Sequence, residues 1–467
     1  MIESLRNGDP RVEDLARTGA PEPAADAPAI AAAARDPDLA AQIEHWLPAL
    51  LVSACAGAGA HRLAALAAEH RERGSGALVA GAALARVLGN SHVLGRWVVR
   101  EPDWAQDLAG ELAPAPDPAP EDGDWSALRR AKYRGLLRIA ARDLARPFEA
   151  GLAELSDLAD GVLRRALVLA SGEREPPALF ALGKLGGREL NFSSDVDLFF
   201  VCDASPDERG NAARESATAV VQELKRRLEE RTDEGFAYRV DLDLRPEGAA
   251  GALVRGVEGT LAYYELRGAE WERQMLLRLR HLAGSPQAAR GFERGIAPFV
   301  YRRAFDPAVI DAVRAMKARI ETERREHGRD VDNNLKEGPG GIRDVEFTVQ
   351  ALQLFHAGRN PDLRTGNVLD AIAALARAQL LPEDSAAVLA DGYRWLRSAE
   401  HALQLAEEQQ TAQLPRDRAG RAALARRIGY AEPAADDAVR RFEADLARTR
   451  SQVREQFEAL VLGSRAP

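Results

Sequence analysis

The sequence predicts an α+β fold that is mostly helical, with an α/β centre between an N-terminal helical region and a C-terminal helical bundle. Most of the chain repeats Ala, Leu, Val and Arg at helical spacing. Short runs of β-branched and aromatic residues interrupt this pattern only from about residue 177 to residue 282. We therefore expect a flexible arm at 1–42, the helical region at 43–170, the centre at 171–287 and the bundle at 288–467.

The composition bounds the class of protein and its partners. A length of 467 residues is too great for one hydrophobic core. The net charge of -9 argues against a protein that binds nucleic-acid backbone, although a few local cations could hold a small phosphorylated substrate. The two cysteines, Cys55 and Cys202, exclude a disulfide framework. With no signal pattern at the start and no apolar segment long enough for a membrane, we expect a cytoplasmic protein.

The N-terminal part is predicted to be helical after its first residues. Residues 1–42 are rich in Ala, Pro and Asp and are expected to form a loose arm with one short helix. Residues 50–104 and 128–169 have helical spacing. The segment 113–120 alternates alanine or aspartate with proline and cannot be helical, because proline lacks a backbone donor. We therefore expect a stiff loop or linker there.

The centre alternates predicted strands with one long helix. The strands are predicted at 179–182, 196–202 and 237–244, and the amphipathic helix at 215–231. From residue 288 the chain is predicted to be helical to its end, apart from a glycine-rich break at 338–341.

Two carboxylates in the second predicted strand mark the candidate site. Asp195 and Asp197 are two residues apart, so strand alternation points both to one face, while Val196 and Leu198 point into the core. Two carboxylates beside an apolar strand repel each other and need a neutralising cation. Oxygen ligands favour Mg²⁺, with Mn²⁺ as an alternative, over zinc.

A glycine turn and two serines precede this pair and predict a phosphate or nucleotide site. Glycines allow backbone N–H groups to approach a phosphate, serine hydroxyls donate hydrogen bonds, and a lysine adds positive charge. A bare Asp-x-Asp after a glycine turn is more often a cap, but the combined pattern is more specific. The predicted phosphate contacts here are Gly183, Lys184, Gly186, Gly187, Ser193 and Ser194.

The next predicted strand provides a third carboxylate. Alternation places Arg239, Asp241, Asp243 and Arg245 on one face, which is either solvated or lines a site. Because this strand is predicted to lie beside Asp195, we favour the interpretation that its charged face lines a site. Asp241 would then be the third metal ligand. Arg245 is a further candidate phosphate contact, and its alternative is a salt bridge to a nearby aspartate.

This arrangement resembles the DNA polymerase beta-type nucleotidyltransferase superfamily. Longer segments resemble the bifunctional glutamine synthetase adenylyltransferase/adenylyl-removing enzyme, and the likeness runs from about residue 45 to the end. The segments that carry it are 183–198, 238–246, 270–274 and 334–350. Such enzymes carry two catalytic units, and this sequence contains one. We therefore expect one half of such a protein, natural or cut, and residues 183–194 with 363–365 resemble the N-terminal, adenylyl-removing unit.

The resemblance implies a reaction and its partners. The implied reaction is phosphorolysis of the AMP ester on a tyrosine of glutamine synthetase, giving ADP, with Asp195, Asp197 and Asp241 holding two magnesium ions. Phosphate, ADP and adenylylated glutamine synthetase are the implied partners, a PII-type signal protein is a further candidate, and neither nucleic acid nor a membrane is expected. One departure is Asp243, which stands where the family is expected to have a basic residue.

Residues from the bundle are further candidates for substrate contact. Arg343 and Glu346 follow the glycine break at a predicted helix start, where an anion is attracted. Capping of that helix by its own acidic residues is equally compatible with the pattern. Residues 271–273 are expected to pack the centre against the bundle rather than to contact substrate.

Two other functions remain open from the sequence. The same carboxylates would serve a nucleotidyltransferase that binds ATP and attaches AMP to glutamine synthetase. A third hypothesis is a catalytically inactive regulatory module that binds a PII-type signal protein, against which the intact Asp195, Asp197 and Asp241 argue.

Overall fold

The computed structural model of the chain describes residues 2–6, 11–18, 22–74, 78–109, 123–144, 149–204, 208–303, 311, 314–319, 322, 326, 330–430, 432 and 435–463. The predicted proline-rich linker at 113–120 lies outside these residues. Across the described ranges, every helix is too short or too polar to cross a lipid bilayer.

The chain divides into two units. The first comprises Met1–Pro116, Tyr133–Glu154 and Trp395–Thr449, and the second comprises Asp117–Lys132, Leu155–Arg394 and Arg450–Pro467. This division differs from the predicted boundaries, because part of the predicted C-terminal bundle groups with the N-terminal helices.

The first unit is helical. Its elements are Ile2–Arg6, Val12–Ala16, Pro23–Arg35, Pro37–Ala40, Ile43–Leu51, Ala56–Arg73, Ala82–Asn90, His92–Arg100, the 3-10 helix Pro102–Leu108, and Arg418–Arg427. Buried arginines tie the late segment to the early helices. The Arg426 guanidinium donates to the Leu51 carbonyl (2.5 Å), and the Arg427 guanidinium donates to the Asn90 carbonyl (2.9 Å).

The expectation of a loose arm at 1–42 is wrong for the part that the structure describes. Residues 23–35 form a helix in which Ile30, Ala33 and Ala34 are fully buried. The Asp26 carboxylate accepts a hydrogen bond from the Gly57 N–H (2.9 Å). Small alanine side chains allow two helices to approach closely. This segment therefore forms part of a core, although its composition resembles that of a linker.

Four long helices have residues in both units. They are Trp125–Asp143, Glu149–Ser171, Glu383–Glu407 and Ala435–Phe457.

The second unit contains a mixed five-stranded sheet. The strands are β1 (Ala178–Ala181), β2 (Val196–Cys202), β3 (Val240–Asp241), β4 (Arg255–Gly256) and β5 (Arg280–Ala283). Their order is β3-β2-β1-β5, and β4 also pairs with β2. β1 is antiparallel to β2 and β5, whereas β3 and β4 run parallel to β2. The predicted mostly helical α+β fold is confirmed.

The sheet forms because β1 and β2 are apolar on both faces. Every residue of β1 is buried, and in β2 only Asp197 is not fully buried. Phe180 and Phe199 pack on Phe292, with ring centroids 5.4 and 5.2 Å away. Phe292 belongs to the helix Pro286–Val300, which therefore covers one face of the sheet.

The other elements of the second unit are short or medium helices. They are Gly183–Gly186, Glu208–Glu229, the 3-10 helix Gly248–Ala250, Val257–Arg267, Glu270–Leu276, Ile342–His356, the 3-10 helix Pro361–Leu363, Val368–Arg377 and the π-helix Glu458–Gly463. Residues 338–341 form turns before Ile342, as predicted.

The segment 271–273 packs largely as expected. Glu272 and Arg273 are each 1% exposed, whereas Trp271 is 37% exposed. Arg273 donates to the Val300 carbonyl (3.2 Å), and the Glu272 carboxylate accepts from the Tyr263 hydroxyl (3.1 Å).

Candidate active site

The parallel pairing of β2 and β3 sets two carboxylates side by side. Val196 is the register partner of Val240, and Asp197 is the partner of Asp241. The Val196 N–H donates to the Arg239 carbonyl (3.0 Å). Paired residues on neighbouring strands lie about 4.8 Å apart with their side chains on the same face. The structure thus brings Asp241 next to Asp197, where the sequence predicted it.

The charge of Asp197 is poorly compensated. Burial raises the pKa of its carboxyl to about 6, with Asp241 as the next cause and Asp195 as a smaller one. The ammonium groups of Lys336 and Lys184 oppose this rise. Adjacent carboxylates that destabilise one another in this way favour a bound cation.

Asp195 is paired with an arginine. It precedes β2, and its Oδ1 accepts a hydrogen bond from the Arg239 Nε (2.5 Å). In the part of the chain that the structure describes, no three His, Cys, Asp or Glu side chains are arranged to hold a metal ion. The strand register places Asp241 beside Asp197, and the metal set of three carboxylates stays a prediction.

A lysine and a glutamate of the helix Glu208–Glu229 hold β3 in place. The Lys225 ammonium donates to the Val240 carbonyl (2.6 Å) and to the Glu229 carboxylate (2.6 Å). The Val240 N–H donates to the same Glu229 carboxylate (3.0 Å). Both backbone groups of the residue before Asp241 are thus bonded to one ion pair, which positions that carboxylate.

The strand that carries Asp241 ends sooner than predicted. The Asp243 N–H donates to Asp241 Oδ1 (2.7 Å), and the chain turns there. The Arg245 guanidinium donates to the carbonyls of Leu242 (2.8 Å), Ala249 (2.8 Å) and Gly251 (3.0 Å). It also lies 3.4 Å from the Asp243 carboxylate. The strand face that was predicted to carry four charged residues therefore ends at Asp241. Arg245 bonds to the carbonyls of the following loop, in contrast to its predicted contact with phosphate.

Gly183 touches the central carboxylate. Its φ is +52°, and a Cβ at this position would lie 1.9 Å from Asp197 Oδ2. The Leu182 N–H donates to the Asp197 carbonyl (2.9 Å), which sets the turn against β2. Only glycine combines a left-handed backbone with this contact.

The other two glycines of the turn serve packing. A Cβ on Gly186 would lie 1.9 Å from the Arg278 carbonyl oxygen, and one on Gly187 would lie 2.7 Å from the Gly366 oxygen. The Gly186 N–H donates to the Leu182 carbonyl and the Gly187 N–H to the Gly183 carbonyl. These two N–H groups therefore stabilise the turn and do not form the predicted phosphate cradle.

The two predicted serines are buried in the loop before β2. The Ser194 hydroxyl accepts from the Asn191 N–H (3.1 Å). The Ser193 carbonyl and hydroxyl accept from the Arg239 guanidinium at 2.5 and 3.1 Å. Both residues shape the loop that presents Asp195.

Glu346 belongs to a buried ionic group. Its carboxylate lies 3.1 Å from the Arg278 guanidinium, which also lies 3.5 Å from Glu189. Burial alone would lower the pKa of Arg278, but Glu346 and Glu189 raise it above its ordinary value. The Glu189 carboxylate also accepts from the Tyr393 hydroxyl (3.1 Å). These contacts show that Glu346 stabilises the residues that pack against the glycine turn. This role differs from the predicted substrate contact.

The helix after the glycine break begins at Ile342, and Asp344 lies in its first turn. Asp344 Oδ2 accepts from the Gly340 N–H (2.7 Å). Arg343 lies 3.7 Å from the Glu337 carboxylate and over the Phe347 ring. The bond from Gly340 to Asp344 lies one residue before the N-cap Gly341, so it does not decide between capping and substrate contact, and a substrate contact by Arg343 stays a prediction.

Lys336 is a site residue that was not assigned from the sequence. The Asn334 side chain accepts from the Lys336 and Glu337 N–H groups, both at 2.9 Å. The Arg343 N–H donates to the Lys336 carbonyl (3.0 Å). These bonds hold Lys336 at the start of the helix Ile342–His356, from where its charge acts on Asp197. The surrounding motif was visible in the sequence, but its distance from β2 along the chain concealed the contact.

Comparison with known proteins agrees with the resemblance drawn from the motifs. Residues 81–295 match the family model described as Glutamate-ammonia ligase adenylyltransferase, and residues 314–461 match that of GlnD PII-uridylyltransferase. The first match includes Asp195, Asp197 and Asp241, and the second includes Lys336.

Several curated relatives carry the name bifunctional glutamine synthetase adenylyltransferase/adenylyl-removing enzyme. The protein from Thioalkalivibrio sulfidiphilus is 38% identical over 415 residues, which is 80% of this chain and 42% of that protein. Those from Nitrosococcus oceani and Stenotrophomonas maltophilia are 37% and 39% identical, over 71% and 78% of this chain and 36% and 41% of their own lengths. The chain thus spans about two fifths of these relatives.

Proposed function

We propose a function from the premise that this chain belongs, through residues 81–295, to the glutamate-ammonia ligase adenylyltransferase family. The proposed reaction is removal of AMP from the adenylylated tyrosine of glutamine synthetase by magnesium-dependent phosphorolysis, which gives ADP and unmodified synthetase. The observation that carries this proposal is the register of β2 and β3, which sets Asp197 beside Asp241.

The residues of the site fit a magnesium ion, with manganese as an alternative. Asp197 and Asp241 offer hard oxygen ligands, and a divalent cation would relieve the repulsion that raises the pKa of Asp197. Asp195 would complete the set once its bond to Arg239 is broken. When bound, such an ion neutralises charge on the reacting phosphate and orients it.

Two lysines supply positive charge that acts on Asp197. Lys184 and Lys336 both act on Asp197, so their ammonium groups are close enough to attract the oxygens of phosphate or of the AMP ester. Inorganic phosphate is already ionised at neutral pH, so attack on the phosphorus needs no strong general base. The tyrosine leaves as a phenolate whose parent pKa is about 10, and a nearby cation stabilises it. Catalysis would then rest on positioning and electrostatics.

The test is an assay with adenylylated glutamine synthetase, Mg²⁺ and phosphate. Release of ADP supports phosphorolysis, whereas incorporation of AMP from ATP into unmodified synthetase would support the opposite direction. Asp241→Asn should abolish the activity. Asp243→Asn is the matched control, because Asp243 is two residues away and its side chain is 70% exposed. Equal activity of the two variants would refute the proposed site.

The match of residues 314–461 favours a PII-type signal protein as a further partner. A purified PII-type protein, with and without its uridylyl group, should change the rate of ADP release. No change with either form would remove this partner from the proposal.

A further inference from the structure

One carboxylate of the site is already paired with an arginine. Asp195 Oδ1 and Arg239 Nε are 2.5 Å apart, and the two side chains are 26% and 32% exposed. The bond and the positive charge of Arg239 both compete with a cation for this oxygen. We propose that Arg239 is a resident counter-ion, which a divalent cation displaces from Asp195, so that Arg239 sets the metal affinity of the site. This inference rests on the proposed function.

Arg239 is built to hold the loop that presents Asp195. Its guanidinium donates to the Ser193 carbonyl (2.5 Å) and hydroxyl (3.1 Å), as well as to Asp195. Its carbonyl accepts from the Val196 N–H on β2. The backbone of Arg239 is therefore fixed by the sheet, and only its side chain needs to move to release Asp195.

An aromatic ring offers the guanidinium a place to stay after that exchange. The Arg239 guanidinium carbon lies 5.7 Å from the centroid of the Phe236 ring, within the range of a cation–π contact. The Lys132 ammonium (4.7 Å) and the Arg231 guanidinium (5.3 Å) lie near the same ring.

The direction in which Arg239 changes cation affinity follows from the charges around the site. Asp195, Asp197 and Asp241 attract a cation, and Arg239 opposes one both by its charge and by occupying an oxygen. Removing the guanidinium therefore strengthens cation binding. A partly exposed ion pair of this kind corresponds to a change of about three- to fivefold in a dissociation constant.

The test measures Mn²⁺ binding to the full chain by isothermal titration calorimetry, without substrate. Arg239→Gln should bind Mn²⁺ about three- to fivefold more tightly than wild type. Arg231→Gln is the matched control, because it removes the same charge beside the same ring without a bond to Asp195, and its affinity should stay within about twofold of wild type. Unchanged or weaker binding by folded Arg239→Gln would overturn the inference.

A second measurement tests the same inference in the wild-type protein, in case Arg239→Gln does not fold. In wild type, saturating Mg²⁺ should shift the Nε–H NMR signal of Arg239, assigned by its loss in Arg239→Lys. An unmoved signal would overturn the exchange. Failure of the proposed function has a different signature: Asp241→Asn would then bind Mn²⁺ as well as wild type does.

Discussion

Gly183→Ala tests how closely the glycine turn packs against Asp197. Two costs can be worked from the structure. The left-handed φ of +52° costs an alanine about 1 kcal/mol or more. The added Cβ would also lie 1.9 Å from Asp197 Oδ2, so the carboxylate would have to move by about 1 Å or more to reach an ordinary contact. A displacement of this size typically lowers a turnover rate about 100-fold.

Gly172→Ala separates the two costs. Gly172 also has a left-handed backbone (φ +56°), but nothing lies within 4 Å of its added Cβ. Gly172→Ala should lose about 1 kcal/mol of unfolding free energy in urea titrations, and Gly183→Ala at least as much. Only Gly183→Ala should lose most of its phosphate-dependent ADP release. If the two variants differ in turnover by less than about threefold, the contact between Gly183 and Asp197 does not position that carboxylate.

Three further predictions follow from the same contacts. Asp197 has its pKa raised to about 6 from 3.8 by burial and then by neighbouring carboxylates. The folded protein thus holds this proton to higher pH than the unfolded chain, and stability is lost as the pH rises from about 4 to about 6. In EDTA, Asp197→Asn should therefore gain up to about 3 kcal/mol in urea unfolding at pH 7.5 and little at pH 4; equal gains would contradict the assignment. Lys225→Met should lower ADP release about tenfold by loosening β3, whereas Arg226→Met on the same helix should not. Glu346→Gln should destabilise the fold by about 3 kcal/mol, because it leaves Arg278 buried with one carboxylate fewer; a raised KM at unchanged melting temperature would instead support a substrate contact.

Strong local patterns made the centre of the fold predictable. β2 was predicted over its full extent, because its seven residues are β-branched, aromatic or otherwise apolar except for Asp197 and follow a turn. The adjacency of Asp197 and Asp241 followed from two strands that each carry an acidic residue beside an apolar one. Gly183 was predicted to belong to the site as a phosphate contact, and in the structure it lies against Asp197.

The rest depended on contacts between distant parts of the chain. β4 and β5 have two and four residues, which is too short for a periodic signal. β3 ends early because the Arg245 side chain bonds to the carbonyls of the loop that follows, and no local pattern reveals such bonds. Lys336 reaches Asp197 only through the folded loop before the helix Ile342–His356.

The way β3 is held also limits how other molecules can attach to the sheet. The N–H and C=O of Val240 point away from β2, and both are bonded to side chains of Lys225 and Glu229. An extended peptide that approached this edge would find no open backbone ladder at residue 240, so strand addition and edge-to-edge aggregation are blocked there. Under the proposed function, a protein substrate would therefore not reach the site by adding a strand at residue 240.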